Sequence, residues 1–333
     1  MKKLPLNLQS DVNGYLFYAY PYSILNTFPE YNDYLMEHYI RCFGYIAEEL
    51  NNMAFGYADG VSYNDIFYNS GPLDIVFHSC TAGLQLDIGE YIVSSIDNNN
   101  YVVVFVDEYY IECRPAYQKY HRLHDILIFG HDAKNFDCLT FTQGFLFSSF
   151  PKNQIYDAYK SGASMDIKAL GAWIGDRSIV LIKTKPIKKQ YAFSAERFAD
   201  NLKAYAGGKF EALYNSFVIP EEKCHAGVYN TNIIKHCLGN PDIYILYPAI
   251  HAWHESKKNL LAKLRYWYEK TDRENDGLIL DYEKKVERQA EKVRLSFLKY
   301  QRSGNLNKDN VIHILDDIFD CESDIIGKIC DSG

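Results

Sequence analysis

Runs of β-branched and aromatic residues, each bounded by turn formers, mark the first 190 positions of the chain. Tyr101-Val-Val-Val-Phe-Val-Asp107 is apolar without a break and has the length of a fully buried strand. His124–Gly130 is a second such run. The polar stretch His131–Asn135 reads as a turn, and Phe136–Thr142 returns as its hairpin partner. Arg177–Thr184 predicts a further strand, preceded by a helix around Gln154–Ser161. Helical spacing of apolar positions predicts helices around Ala19–Asn26, Asn32–Asn51 and Asp87–Ile96.

Beyond residue 190 the pattern becomes helical. Ser194 can cap a helix running to Tyr205, which Gly207-Gly208 ends. Long amphipathic stretches follow at about Pro248–Thr271, Leu278–Gln301 and Lys308–Ile329, the second stopped by Ser303-Gly304-Asn305. The expected architecture is α+β: residues 1–190 form a mixed domain and residues 191–333 a helical one. No repeat or low-complexity linker interrupts the chain.

Composition narrows the class. With 333 residues, 47% hydrophobic and 23% charged, the chain can bury a substantial core and is not of the disordered kind. The longest apolar runs, such as Val102–Val106, are strand-sized, so no membrane partner is expected. The start, Met1-Lys2-Lys3-Leu4-Pro5-Leu6-Asn7, has no apolar stretch of signal length. None of the eight cysteines forms a CxxC pair. Both features lead to the expectation of a reduced, cytoplasmic protein. A net charge of −8 argues against nucleic acid as the main partner. The 29 tyrosines and 19 phenylalanines favour strand-rich packing and aromatic-lined pockets.

Most chemistry-bearing motifs are missing. Gly162-Ala-Ser-Met-Asp166 lacks the glycines and lysine of a phosphate loop. Ala206-Gly207-Gly208-Lys209 follows a helix and serves as its C-terminal cap. No GxSxG nucleophile elbow occurs. His251 and His254 lie at i, i+3 on a helix, but Glu255 and Cys224-His225 are not tied to them by ligand spacing, so a structural role is the simpler reading. Lys183–Lys189 and Lys257–Arg265 are basic stretches on an acidic chain, either solvated faces or docking surfaces for an acidic partner.

Two segments carry a more specific pattern. Asn13-Gly14 precedes Ala19-Tyr20-Pro21-Tyr22-Ser23 by the spacing that, in papain-like enzymes, separates a glutamine-glycine pair from the nucleophile helix. There the helix opens as Cys-aromatic-small-aromatic-Ser, where the dipole can stabilise a thiolate and an upstream amide can polarise the attacked carbonyl. Position 19 is alanine here. A replaced nucleophile, a pseudoenzyme, or a different register each accommodates that. The second segment is Asp107-Glu-Tyr-Tyr-Ile followed by His124–Asp132, in which a histidine begins a strand running into Gly-His131-Asp. On these residues the chain resembles the butirosin-biosynthesis-H N-terminal-like family, papain-fold enzymes found beside nonribosomal peptide synthetases. The resemblance covers roughly residues 8–145, and Leu260–Tyr266 is similar to the region downstream in the same proteins.

The resemblance implies a papain-like fold, a nucleophile helix on an antiparallel sheet, followed by a helical domain. It implies a thiol acyltransferase that makes an amide bond from a carrier-protein thioester and an amine acceptor. A cysteine at the Ala19 position would attack the thioester, His124 would act as base, and Asn13 would donate to the oxyanion. The phosphopantetheine-bound acyl thioester is already activated, so no cofactor is expected. The residue orienting His124 has to be chosen by position. Asp125 adjoins it and is expected on the opposite face of the strand, while Asp137 lies toward the other end of the hairpin. Asp107 ends its strand as His124 begins the next, which makes Asp107 the first choice. Thr142, opposite His124 in the hairpin where relatives of the family often carry Asp, is the alternative. A cysteine protease or thioesterase on the same fold, or a non-catalytic carrier-binding protein, are the other functions the pattern allows.

Overall fold

The computed structural model describes residues 1–47, 51–64, 69–79, 87–141, 144–165, 177–186, 191–208, 224–273 and 277–331. The strands, in chain order, are β1 (Lys2–Lys3), β2 (Cys42–Ala47), β3 (Asn52–Tyr57), β4 (Leu73–Ser79), β5 (Tyr101–Asp107), β6 (Leu123–His131), β7 (Asn135–Phe141), β8 (Phe145–Pro151), β9 (Arg177–Thr184) and β10 (Cys224–Ala226). The helices are α1 (Leu16–Leu25), α2 (Asn32–Glu37), α3 (Ile88–Asp97), α4 (Lys152–Ala163), α5 (Ala195–Ala206), α6 (Thr231–Gly239), α7 (Tyr247–Thr271), α8 (Leu278–Tyr282), α9 (Arg288–Ser303) and α10 (Lys308–Asp331). The chain is α+β, and it divides into two compact units, residues 1–29 with 61–189 and residues 30–60 with 190–333.

The first unit is built on an antiparallel sheet of order β4-β9-β5-β6-β7-β8, with β1 paired to the end of β6. Every residue of β5 is buried, as its unbroken Val-Val-Val-Phe-Val run requires. Ile92 and Ile96 of α3 and Ile155 and Ala158 of α4 are buried with it. Gly162 lets α4 approach closely: a Cβ there would stand 2.7 Å from Leu123 Cδ1 and 3.2 Å from the Asp107 amide nitrogen. Helix α1 is buried along nine of its ten residues. Its Pro21 has no N–H to give to the Phe17 carbonyl, and that carbonyl instead accepts the Tyr63 amide at 3.2 Å.

The second unit pairs its helices with a small antiparallel sheet, β10-β2-β3. The helix expected over 32–51 is only the six residues of α2; Cys42–Ala47 forms β2 instead. The cause is tertiary. Gly44 admits no side chain, because a Cβ would lie 2.6 Å from Ile233 Cγ2 and 2.7 Å from Phe55 Cε1. The backbone there is pressed between α6 and β3, which favours a ladder over an isolated helix. Ser194 caps α5 as its sequence position requires, accepting the Arg197 amide at 3.2 Å. The long C-terminal stretches form helices, with one π-helical turn, Glu283–Glu287, between α8 and α9. No helix among the described residues is long and apolar enough to cross a membrane.

The basic stretch Lys257–Arg265 is divided: Lys258 and Arg265 are exposed, whereas the other two lysines are not. Lys257 and Lys263 are buried, the first paired with Glu322 at 2.7 Å and the second donating to the Leu35 carbonyl at 2.7 Å. Helix α7 keeps an exposed stripe at Lys258, Ala262, Arg265 and Glu269, and Lys257 and Lys263 lie on its buried side. In the other stretch Lys185 donates to the Gly71 carbonyl at 2.8 Å, and Lys188 and Lys189 lie outside the described residues.

Candidate functional site

The residues singled out by sequence fall in the first unit, and it brings some of them together and separates others. Position 19 is the fourth residue of α1, fully buried, with its amide bonded to the Tyr15 carbonyl at 2.9 Å. The helix starts at Leu16, a turn earlier than the pattern suggested, so position 19 lies past the first-turn amides where the dipole acts most strongly. Asn13 sits in the turn before α1, and its side-chain amide donates to the Ser10 carbonyl at 2.5 Å. That bond turns one of its donors inward, toward its own turn. Thr142 lies outside the described residues.

Asp107 does not orient His124. The register of β5 and β6 pairs Asp107 with Leu123 and Val106 with His124, so the two side chains leave the sheet on opposite faces. The buried Asp107 carboxylate is instead surrounded by donors: His121 Nδ1 at 2.6 Å, Ser161 Oγ at 2.8 Å, and the amides of Tyr109 and Arg122 at 3.0 and 3.1 Å. Burial pushes its carboxyl up, but the bonds from His121, Tyr109, Ser161 and Arg122 outweigh burial and hold it below the usual range. His121 itself is exposed and stacks on Tyr109 with ring centroids 4.5 Å apart.

His124 turns to the neighbour that strand alternation seemed to exclude. Its Nδ1 lies 2.7 Å from Asp125 Oδ1, and its side chain is 24% exposed while Asp125 is buried. Alternation separates Cβ atoms, not the ends of side chains; at the second residue of β6 the ring folds back along the strand. The contact is electrostatic more than a directed hydrogen bond, since Asp125 Oδ1 has no donor in line with it. The other carboxylate oxygen accepts the Tyr63 hydroxyl in a short bond. Arg114 Nη2 completes the cluster, 3.2 Å from His124 Nδ1 and 3.3 Å from the Asp125 carbonyl. Burial pushes the Asp125 carboxyl up, but His124, Tyr63 and Arg114 outweigh it and keep the group ionised. Burial, reinforced by the Asp125 charge, pushes the Tyr63 phenol well above its ordinary value, so it remains a donor.

Helix α1 meets this cluster through Tyr20, the residue after position 19. Its hydroxyl reaches the carbonyls of Asp125 at 3.4 Å and Leu139 at 3.3 Å, and its ring stacks on Tyr63 and Phe145 at 6.3 and 6.0 Å. The arrangement sets a partly exposed imidazole against a buried carboxylate, and its Nδ1 also accepts the Asp125 amide at 3.0 Å. Among the described residues a rival thiol is hard to find. Burial pushes the Cys42 thiol up to about 12 and the Cys138 thiol well above its ordinary value. Cys113 is half-buried with Sγ 3.5 Å from Thr140 Oγ1. Among the described residues no group of three or more His, Cys, Asp or Glu side chains could hold a metal ion. In the second unit His254 is held neutral, pushed down to about 4 by burial first and then by Arg294.

Sequence reasoning missed Tyr63, Arg114 and Glu108. Only Pro21 carried a readable signal, since a proline inside a helix frees the carbonyl four residues back, though not the identity of the amide that takes it.

The two depressed carboxyls make acid sensitivity an expected property. A carboxyl lowered in the folded state adds stability that is complete above its unfolded value of about 3.9 and is lost as pH falls through the folded value. The urea midpoint of the first unit should therefore drop steeply below about pH 4. Asp107→Asn should flatten that drop, and an unchanged pH slope in the variant would show that Asp107 does not contribute to it. The chain matches no protein-family model and none of the curated proteins compared with it.

Proposed function

We propose that the chain is an acyltransferase on a papain-like scaffold, moving an acyl group from a phosphopantetheine-bound carrier-protein thioester to an amine. The observation that carries this reading is the half-exposed His124 imidazole backed by the buried, ionised Asp125 carboxylate at the sheet end that Tyr20 of α1 touches. With alanine at position 19 the transfer is direct, and no acyl-enzyme forms there. The amine nitrogen attacks the thioester carbon, the C–N bond forms, and the amine proton passes to the His124 imidazole. The C–S bond then breaks and the departing thiolate takes that proton. Water in place of the amine would give hydrolysis by the same steps. A second reading is a carrier-binding protein without turnover, favoured by the burial of the Ala19 methyl.

The test uses the full chain with an acyl-loaded carrier protein and a primary amine, followed by mass spectrometry of the amide product. Turnover above the uncatalysed rate supports the transferase; carrier binding without turnover supports the second reading; neither removes both. Ala19→Cys tests the papain-like register separately. A thiol there should gain the acyl mass on a peptide containing residue 19, and the alanine form should not. Absence of the adduct in a folded variant would remove position 19 from the site.

A further inference from the structure

We infer that Asp107 and His121 form a second imidazole site, apart from His124, in which His121 Nε2 is the nucleophile toward activated acyl groups, namely aryl esters and thioesters. His124 and its acyl-transfer reading play no part in it. The site lies where β5 leaves the sheet into the loop that returns as β6. That loop is closed at its neck by the Glu108 amide on the Arg122 carbonyl at 2.8 Å. The buried Arg114 and Glu108 side chains pair within it, with Nε 2.9 Å from Oε1. The closed neck brings together Asp107 and His121, 14 residues apart in sequence.

Asp107 is fully buried, and both of its oxygens are filled. Oδ1 accepts the amides of Tyr109 and Arg122, and Oδ2 accepts the Ser161 hydroxyl and His121 Nδ1. Burial works against the charge, but these four donors outweigh it and keep the carboxylate ionised. An ionised carboxylate only accepts, so the 2.6 Å bond to His121 needs its proton on Nδ1. Among the described residues no second donor competes at that nitrogen. Nε2 of the neutral ring therefore keeps its lone pair. The ring is stacked on Tyr109 with planes 23° apart, and its side chain is 60% exposed. With Nδ1 turned inward to the buried acid, the exposed edge is the one that carries Nε2. His313 shows the contrast: it is 77% exposed, but its Asp317 partner is itself exposed and 3.8 Å away, too far to fix a tautomer.

A buried carboxylate behind an imidazole fixes the ring and offsets the positive charge that forms on it. Ser161 is no rival nucleophile, because its proton goes to the carboxylate on the Nδ1 side. The imidazole itself is then the attacking group. Nε2 forms a C–N bond to the acyl carbon, the C–O or C–S bond breaks, and the aryloxide or thiolate leaves with its electron pair. Asp107 offsets the charge of the acyl-imidazolium. Water adds to the acyl carbon, the C–N bond breaks, and the electron pair returns to Nε2. The released proton neutralises the aryloxide or thiolate. Imidazole is expelled more readily than an alkoxide, which confines the site to esters of weakly basic leaving groups.

Diethyl pyrocarbonate and p-nitrophenyl acetate test the site on the full chain. At about pH 8, where an ordinary imidazole is neutral, pyrocarbonate should label His121 ahead of the more exposed His313, read by mass on the two peptides. Asp107→Asn should slow labelling of His121 roughly tenfold, the rate equivalent of about one hydrogen bond, and leave His313 unmoved. Hydrolysis of the nitrophenyl ester should fall in His121→Ala and persist in His313→Ala. Where Asp107→Asn fails to fold, long-range proton–nitrogen NMR spectra of the native chain decide, with His121 assigned by its loss in His121→Ala: the neutral ring should carry its proton on Nδ1. Labelling of His121 no faster than His313, a neutral ring protonated on Nε2, or ester hydrolysis unchanged in His121→Ala would each overturn the inference. His121-dependent ester hydrolysis in a chain that moves no acyl group from a carrier protein would overturn the proposed function and keep this inference.

Discussion

His124→Ala is expected to lower acyl transfer by about 10²–10⁴-fold, the usual cost of losing a general base. Each step of the proposed transfer passes its proton through the imidazole. Without the imidazole the amine must lose its proton to water, and the thiolate must leave unprotonated. The fold should survive, because His124 is 24% exposed and its strand partner Val106 belongs to the fully buried β5. His124→Gln serves as a second form that retains a polar group beside Asp125. The comparison with His121→Ala is the informative one. His121 is also paired with a buried carboxylate, Asp107, but it is 60% exposed and shares no partner with His124 in the contacts described above. Near-normal turnover in His124→Ala with loss in His121→Ala would move the base to the Asp107–His121 pair. Near-normal turnover in both would remove imidazole chemistry from the mechanism.

Lys257→Met should destabilise the second unit by about 3–5 kcal/mol, because it leaves Glu322 as an uncompensated buried charge. Lys257 and Glu322 are both fully buried, with Nζ 2.7 Å from Oε2. Nζ also donates to Tyr205 Oη at 2.9 Å and to Asn230 Oδ1 at 3.0 Å. Glu322 Oε1 accepts the hydroxyls of Tyr205 and Tyr282, each at 2.8 Å. The network ties α5, α7, α8 and α10 through side chains that have no water to fall back on. A loss of that size corresponds to roughly 6–20 °C in Tm for a unit of this length. The double variant Lys257→Met with Glu322→Leu should recover much of it, since an apolar pair of similar volume carries no desolvation penalty. A single variant melting within about 2 °C of the native chain would show that Glu322 finds another partner or is neutral when buried.

The elements that sequence alone determined are those whose own residues decide the outcome. The apolar run of β5, the hairpin of β6 and β7, and helix α5 with its Ser194 cap follow from short-range preferences that no neighbour overrides. The long helices of the C-terminal half are legible for the same reason, since an amphipathic period sustained over twenty residues outweighs any single contact. Residues 42–47 went the other way. Their helical spacing was real, but β3 and β10 offered a ladder on both sides, and Gly44 permits the close approach that the ladder needs.

The site divides along the same line. His124 at the start of a strand was readable, because the strand itself was. Its partner was not, since the choice between Asp107 and Asp125 turns on a one-residue register and on the fold-back of one ring. A shift of one residue moves a side chain to the other face of a sheet, and register is set by the sum of pairings along β5, β6 and β7, which no local pattern encodes. Tyr63 and Arg114 lie 61 and 10 residues from His124 and reach it through a helix carbonyl and a closed loop. The sequence supplied the ionisable groups; tertiary structure alone decided which carboxylate meets which imidazole, because such pairing depends on positions in space that are fixed only once the sheet has closed around them.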